Sequence, residues 1–149
     1  MKPVLLTAIL TAALAVASAG AASAEEWNAF SRNARLVYLV DVSGIATVGD
    51  TTSARVARVP LQTPAGDYSH KIDEYEIRCA AKQARVLAEI EFGPDGAEVE
   101  RYPEADAAWD DIRPTSLSAY IQPIVCDGAR ADGAPAASIK AYIDAGRGQ

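Results

Sequence analysis

Histidine is nearly missing from this 149-residue chain: His70 is the only one, alongside two cysteines, two phenylalanines and one methionine. A single imidazole removes most histidine-based chemistry, because a nucleophile, a base and an orienting group must lie within reach of one another. His70 stands among Asp67, Ser69 and Lys71 in a polar stretch, where an exposed loop histidine is expected and a catalytic base is not. Metal binding finds no support either, since histidine is scarce, no CxxC occurs and no calcium-loop spacing surrounds the aspartates. The glycines at 44 and 49 lead into neither a helical pattern nor a GK[ST] ending, so a phosphate-binding loop is absent. No cofactor is expected.

Positive charge is also short. Lysine and arginine number 14 against 20 acidic residues, a net charge of −6. Nucleic acid and anionic membrane surfaces require basic patches, so neither is expected as a partner. The acidity reads first as solubility. Asp110 and Asp111 adjoin, and paired carboxylates can do acid–base work. Nothing separates these two from a solvated acidic turn, and no catalytic residue is assigned.

The first residues, MKPVLLTAILTAALAVASAGAASAEE, combine Lys2, an apolar run from Val4 to about Val16 and small residues at Ala22, Ser23 and Ala24. That is the pattern of a signal peptide, predicted to be cleaved after Ala24, with Ala19 as the second choice. A membrane span would need roughly 20 strongly apolar residues, more than this alanine-rich run supplies. A lipid anchor would need a cysteine at the processing point, and the first cysteine is Cys79. The expectation is a soluble periplasmic or secreted protein with no stable membrane anchor after cleavage. Loss of residues 1–24 removes Lys2 and no acidic residue, so the charge moves from −6 to −7.

Two cysteines in an exported chain read as a disulfide, Cys79 to Cys126. Closing so long a loop stabilises a small domain by roughly 4 kcal/mol on the chain-entropy model. Two free thiols, acting as nucleophile or metal ligands, are the alternative.

Along the rest of the chain, Ala34–Val42 is apolar on both faces and predicts a central strand. Ala54–Leu61 alternates and predicts a second strand, at an edge or ending at Pro60, whose nitrogen cannot donate to a ladder. A loop over Thr63–His70 precedes a third strand that turns Tyr75, Ile77 and Cys79 to the core and Glu74, Glu76 and Arg78 away. In Lys82–Phe92 the residues Ala84, Val86, Ala88, Ile90 and Phe92 predict one inward face, with Arg85, Glu89 and Glu91 outward. The GPDG turn at 93–96 then makes a hairpin with Ala97–Pro103. A polar linker containing Trp109 follows. Leu117, Tyr120, Ile121, Ile124 and Val125 form one helical stripe, capped by Thr115 or Ser116. Pro123 predicts a kink or break in that helix. The disulfide would pin it over the third strand. Residues 128–137 read as a Gly/Ala/Pro linker and 138–146 as a short helix with Ile139, Tyr142 and Ile143 on one side, docked or frayed. Of the aromatics, Trp27, Tyr38, Tyr75, Tyr102, Trp109 and Tyr120 are expected in the core rather than around a ligand.

The order of features resembles the surface-adhesin protein E family of small exported bacterial proteins. The residues that carry the likeness are Tyr38–Ile45 (YLVDVSGI), YEIRC ending at Cys79, the hydrophobic hairpin, Trp109 with Ile112, the RPTS segment, and Ile124, Val125 and Cys126. The resemblance implies an antiparallel sheet with a helix tied across one face, and an adhesin-like binding role exercised as a dimer through a sheet edge. Most relatives with this outline are uncharacterised, so the name describes a fold more than a function.

The sequence therefore predicts an α+β fold: an antiparallel sheet of about five or six strands with a C-terminal helical segment tied across one face by a disulfide. Its layout is a leader (1–24), a protein E-like domain (25–127) and a flexible linker with a short helix (128–149). The expected function is a non-enzymatic binding module for a protein or matrix ligand. A small hydrolase or hydrolase inhibitor, and a self-associating envelope component, stand as alternatives.

Overall fold

A computed structural model describes residues 24–148. The predicted leader therefore falls outside the described residues except for Ala24. The strands are β1 (Trp27–Arg32), β2 (Leu36–Asp41), β3 (Ala46–Val48), β4 (Thr51–Pro60), β5 (His70–Arg78), β6 (Gln83–Phe92), β7 (Glu98–Pro103) and β8 (Asp110–Asp111). Two helices follow, α1 (Leu117–Asp127) and α2 (Ile139–Asp144). The strands form one antiparallel sheet in the order β1-β2-β4-β5-β6-β7, with β3 paired to β4 and β8 to β6. The expected fold class is borne out.

The sheet carries two apolar cores, one on each face, and they lie at opposite ends. On the first face Trp27, Val37, Leu39, Ala57, Val59, Ile72 and Ile90 pack under Ile139 and Ile143 of α2. On the second, Val40, Ala54, Val56, Tyr75, Ile77 and Ala84 pack under Ile121, Ile124 and Val125 of α1. Along β5 the first core touches Ile72 and the second touches Tyr75 and Ile77, so each helix shields one half of one face.

A bulge makes this diagonal arrangement. Glu74 pairs with Ala88 but Tyr75 pairs with Val86, which leaves Leu87 as an extra residue in β6. Side chains before and after such a residue switch faces. Ala84 and Val86 join the second core and Ile90 the first, which corrects the single inward face expected for β6. Pro60 ends β4 as predicted, but the strand lies inside the sheet between β2 and β5 rather than at an edge. The linker around Trp109 contains the two-residue β8, paired to Gln83 and Ala84.

Ser116 caps α1, its Oγ accepting from the Ala119 N–H at 3.3 Å. The helix runs unbroken through Pro123, contrary to the predicted break. Proline removes one bond, to the Ala119 carbonyl, but the three buried residues and the Cys79–Cys126 disulfide hold the helix on both sides of that gap. The proline carbonyl also receives the N–H of Gly128, which closes the helix in the left-handed conformation at φ 70°. Tyr120, expected in the apolar stripe, is exposed.

Candidate functional site

The half of the second face that α1 leaves open is built by β2, β4, β5, β6 and the edge strand β7. Cross-strand register stacks its polar residues: Arg58 opposite Lys71, Asp73 opposite Glu89, Lys71 opposite Glu91, and Glu91 opposite Glu100. Arg58 bonds Asp73 at 2.7 Å and also Glu89, while Lys71 bonds Glu89 and Glu91, each at 2.7 Å. The Tyr102 hydroxyl extends the chain, its single proton shared between Glu100 at 2.8 Å and Glu91 at 3.2 Å.

These contacts set the protonation behaviour. Bonds from Lys71 and then Arg58 hold the Glu89 carboxyl below the ordinary carboxylate range, and Lys71 does the same for Glu91. Burial pushes the Asp73 carboxyl up, opposed by the Arg58 charge. The hydrogen bond to Glu100, with burial and nearby negative charge, raises Tyr102 to about 12.

Beside this network lies a groove of about 460 Å³, a volume in the range of small-ligand and side-chain pockets. Leu36, Pro60, Phe92 and Val99 give it an apolar lining, with Arg58, Ser69, His70, Lys71 and Glu91 around it. Val99 is the extra residue of a second bulge, because Glu91 pairs with Glu100 and Phe92 with Glu98. The bulge pushes Val99 out to 68% exposure at the groove. All six residues of β7 are exposed, and its outer edge ends the strand order. Asp73, Glu89, Glu91 and Glu100 outnumber Arg58 and Lys71 on this face, so the surface carries a negative surplus.

His70 is not the exposed loop residue expected from the sequence. It opens β5 at 8% exposure, its ring stacked on Phe92 at 4.3 Å with Nδ1 2.7 Å from the Tyr68 carbonyl. Asp110 and Asp111 are exposed in β8 and pair beside Ala84, the partner of Ile77. His70 and Ile77 lie seven steps apart along β5, about 23 Å at the usual strand rise, so the two acids and the histidine do not meet. Among the described residues no group of three acidic, histidine or cysteine side chains is placed to hold a metal.

Cys79 and Cys126 form the disulfide, with Cα atoms 5.7 Å apart. The aromatics divide: Trp27 and Tyr75 are core, Tyr102 and Tyr120 are exposed, and Trp109 is held by the guanidinium groups of Arg78 and Arg85 at 4.0 and 4.4 Å from the ring centre. The sequence reading placed Glu89 and Glu91 outward but did not join them to Arg58, Lys71 and Asp73. Only the strand register brings the five together. The apolar triplet Val86-Leu87-Ala88, which breaks the alternation, was the available sign of the bulge.

A family model described as surface-adhesin protein E matches residues 27–127. No curated protein and no solved structure matches the chain. Among the described residues no helix is long and apolar enough to cross a membrane.

Proposed function

The chain belongs to the surface-adhesin protein E family, and from that premise we propose that it is an exported, non-enzymatic binding module for a protein ligand. The binding surface is the outer edge of β7 together with the apolar groove beside it. The observation that carries this reading is Val99, pushed out by a bulge on the strand that ends the sheet and standing at the mouth of a 460 Å³ groove. An edge strand offers main-chain donors and acceptors to an added strand, and pockets beside it take alternate side chains. The acidic surplus favours a segment with basic residues flanking an apolar one.

Arg101 and Pro103 limit such pairing to a short stretch, because charge and proline both discourage indiscriminate edge contacts. Selection therefore falls on the partner's charge and on the side chain that enters the groove. Residues 25–149 should bind immobilised extracellular-matrix proteins rich in basic segments, with affinity falling as salt rises. Val99→Lys and Glu100→Lys should each weaken that binding about tenfold or more, while Tyr120→Lys, exposed on α1 outside the groove and β7, should not. Equal binding by all three variants would refute the assignment of this surface.

A further inference from the structure

The two helices that shield the sheet are held by different means. α1 is tied covalently through Cys126 to Cys79. The segment after Asp127 has no covalent tie, and among residues 128–148 only Ile139, Ile143 and Arg147 are buried. Few buried side chains for so much ordered backbone place a segment at the low-stability end of a molecule.

Its attachments are discrete. Trp27 and Ala136 exchange backbone bonds of 2.8 and 2.9 Å, and Asn28 accepts from the Ala131 N–H at 2.9 Å. Tyr68 donates to Asp144 at 2.9 Å. The Arg147 guanidinium bonds the Thr63 hydroxyl at 2.6 Å and the Asp67 carbonyl at 2.9 Å. In between, a channel of about 540 Å³ separates β1 from Asp132, Gly133 and Ala134, so the segment grips the sheet at intervals and stands off elsewhere. The part of the chain that carries the family likeness stops at Asp127.

We propose that residues 128–148 are a detachable strap, and that the first face beneath it is a second binding surface whose occupant in trans is the same segment of another copy of this chain. The floor is apolar: Trp27, Val37, Leu39, Ala57, Val59 and Ile72. The sequence seen to fit it is the chain's own, an extended residue pairing Trp27, a Ser138-capped helical turn with two isoleucines four apart, and an arginine that locks the end. Residues 128–135 lie in no helix or strand and can reach about 26 Å when extended, which lets the strap cross to a neighbour. Exchange preserves the contacts and changes only the path of that stretch. This inference stands apart from the β7 surface, which lies at the other edge of the sheet.

The probe is a labelled synthetic peptide of residues 134–148, titrated by fluorescence anisotropy into residues 25–149 and into the variants Ile143→Asp and Arg147→Ala. In the unaltered protein the attached strap competes at high effective concentration, so the peptide should bind at least tenfold more weakly than to the variants. The unaltered protein should also form dimers at high concentration in sedimentation, and added peptide should dissolve them. Equal peptide binding by all three proteins, or none to folded variants, overturns the proposal. Arg147→Ala removes only a polar latch and covers the case in which Ile143→Asp fails to fold. If both variants lose the whole sheet cooperatively, the segment is core rather than strap, and the proposal fails.

Discussion

Asp41 shows how one side chain fixes a local turn. It is buried at the end of β2, where its carboxylate accepts the Ser43 hydroxyl at 2.8 Å and the N–H groups of Glu26 and Gly44 at 3.2 and 3.3 Å. A methyl group on Gly44 would meet Asp41 Oδ2 at 2.7 Å, so glycine leaves the room that the carboxylate fills. These two residues lie within the stretch Tyr38–Ile45 that carries the family resemblance, and their geometry gives it a physical basis. His70 is the residue whose behaviour is easiest to test. Burial pushes its pKa down from an ordinary 6.5, against the bond to the Tyr68 carbonyl, which pulls it up; Glu25 also raises it and Arg55 lowers it. A folded-state pKa below the unfolded one means that the unfolded chain binds the proton more readily. The contribution of His70 is therefore fully present above about pH 6.5 and is lost as the pH falls from there through the folded value. Urea unfolding at steps from pH 7.5 to 5 should show this loss. His70→Asn, which keeps a donor for the Tyr68 carbonyl but does not titrate, should show a flatter dependence over the same window. Parallel curves for the two proteins would remove His70 as the cause.

At the scale of elements, α1 shows a local rule overridden by its surroundings. Proline in a helix interior costs about 3 kcal/mol, part of it returned because proline also restricts the unfolded chain by roughly 0.4–1 kcal/mol. Pro123→Ala restores the bond to the Ala119 carbonyl on a solvent-facing position, so it should stabilise the domain by about 2 kcal/mol. Thermal unfolding with the disulfide intact measures this, and an unchanged or lower melting temperature would show that the helix is bent to fit the proline. The break predicted at Pro123 failed because propensity is local, whereas Ile121, Ile124 and Cys126 are held by strands far away in sequence. The same distinction separates what was legible from what was not. Strands with clear alternation, such as Ala54–Leu61 and His70–Arg78, could be read directly, and so could the disulfide and a helix start at Thr115 or Ser116, of which the structure uses Ser116. β1 was missed because Phe30 sits at a bulge between Ala29 and Ser31, which blurs the alternation of WNAFSR. The acidic network beside the groove was illegible for a related reason: Arg58, Asp73 and Glu89 come from three strands, and only pairing register and the bulge at Leu87 put them on one face.

For the whole molecule, the diagonal covering of the sheet predicts an uneven distribution of stability. β2, β4 and β5 are paired on both sides and carry both cores, so their amides should open only with the entire domain. α1 lies on a half-face closed by a disulfide, which on the chain-entropy model is worth roughly 4 kcal/mol, and should share that global behaviour. α2 has two buried isoleucines, each worth roughly 1.5–3 kcal/mol, set against an ordering cost of about 1–2 kcal/mol for every backbone residue fixed. Its six residues therefore have little margin of their own. Native-state hydrogen exchange in increasing urea separates these cases, because an opening that exposes little surface depends weakly on denaturant. The amides of Tyr142 and Ala145, bonded to Ser138 and Ala141 at 3.1 and 3.0 Å, should exchange quickly and with little urea dependence. Those late in α1, around Ile124 and Val125, should follow the steep global slope. In a Cys79→Ser, Cys126→Ser variant the α1 amides should leave the global class and move toward the faster one, while α2 stays where it was. A single slope shared by α1, α2 and the central strands would mean that the sheet and both of its covers fold as one unit, and that the absence of a covalent tie at the C-terminal segment has no energetic consequence.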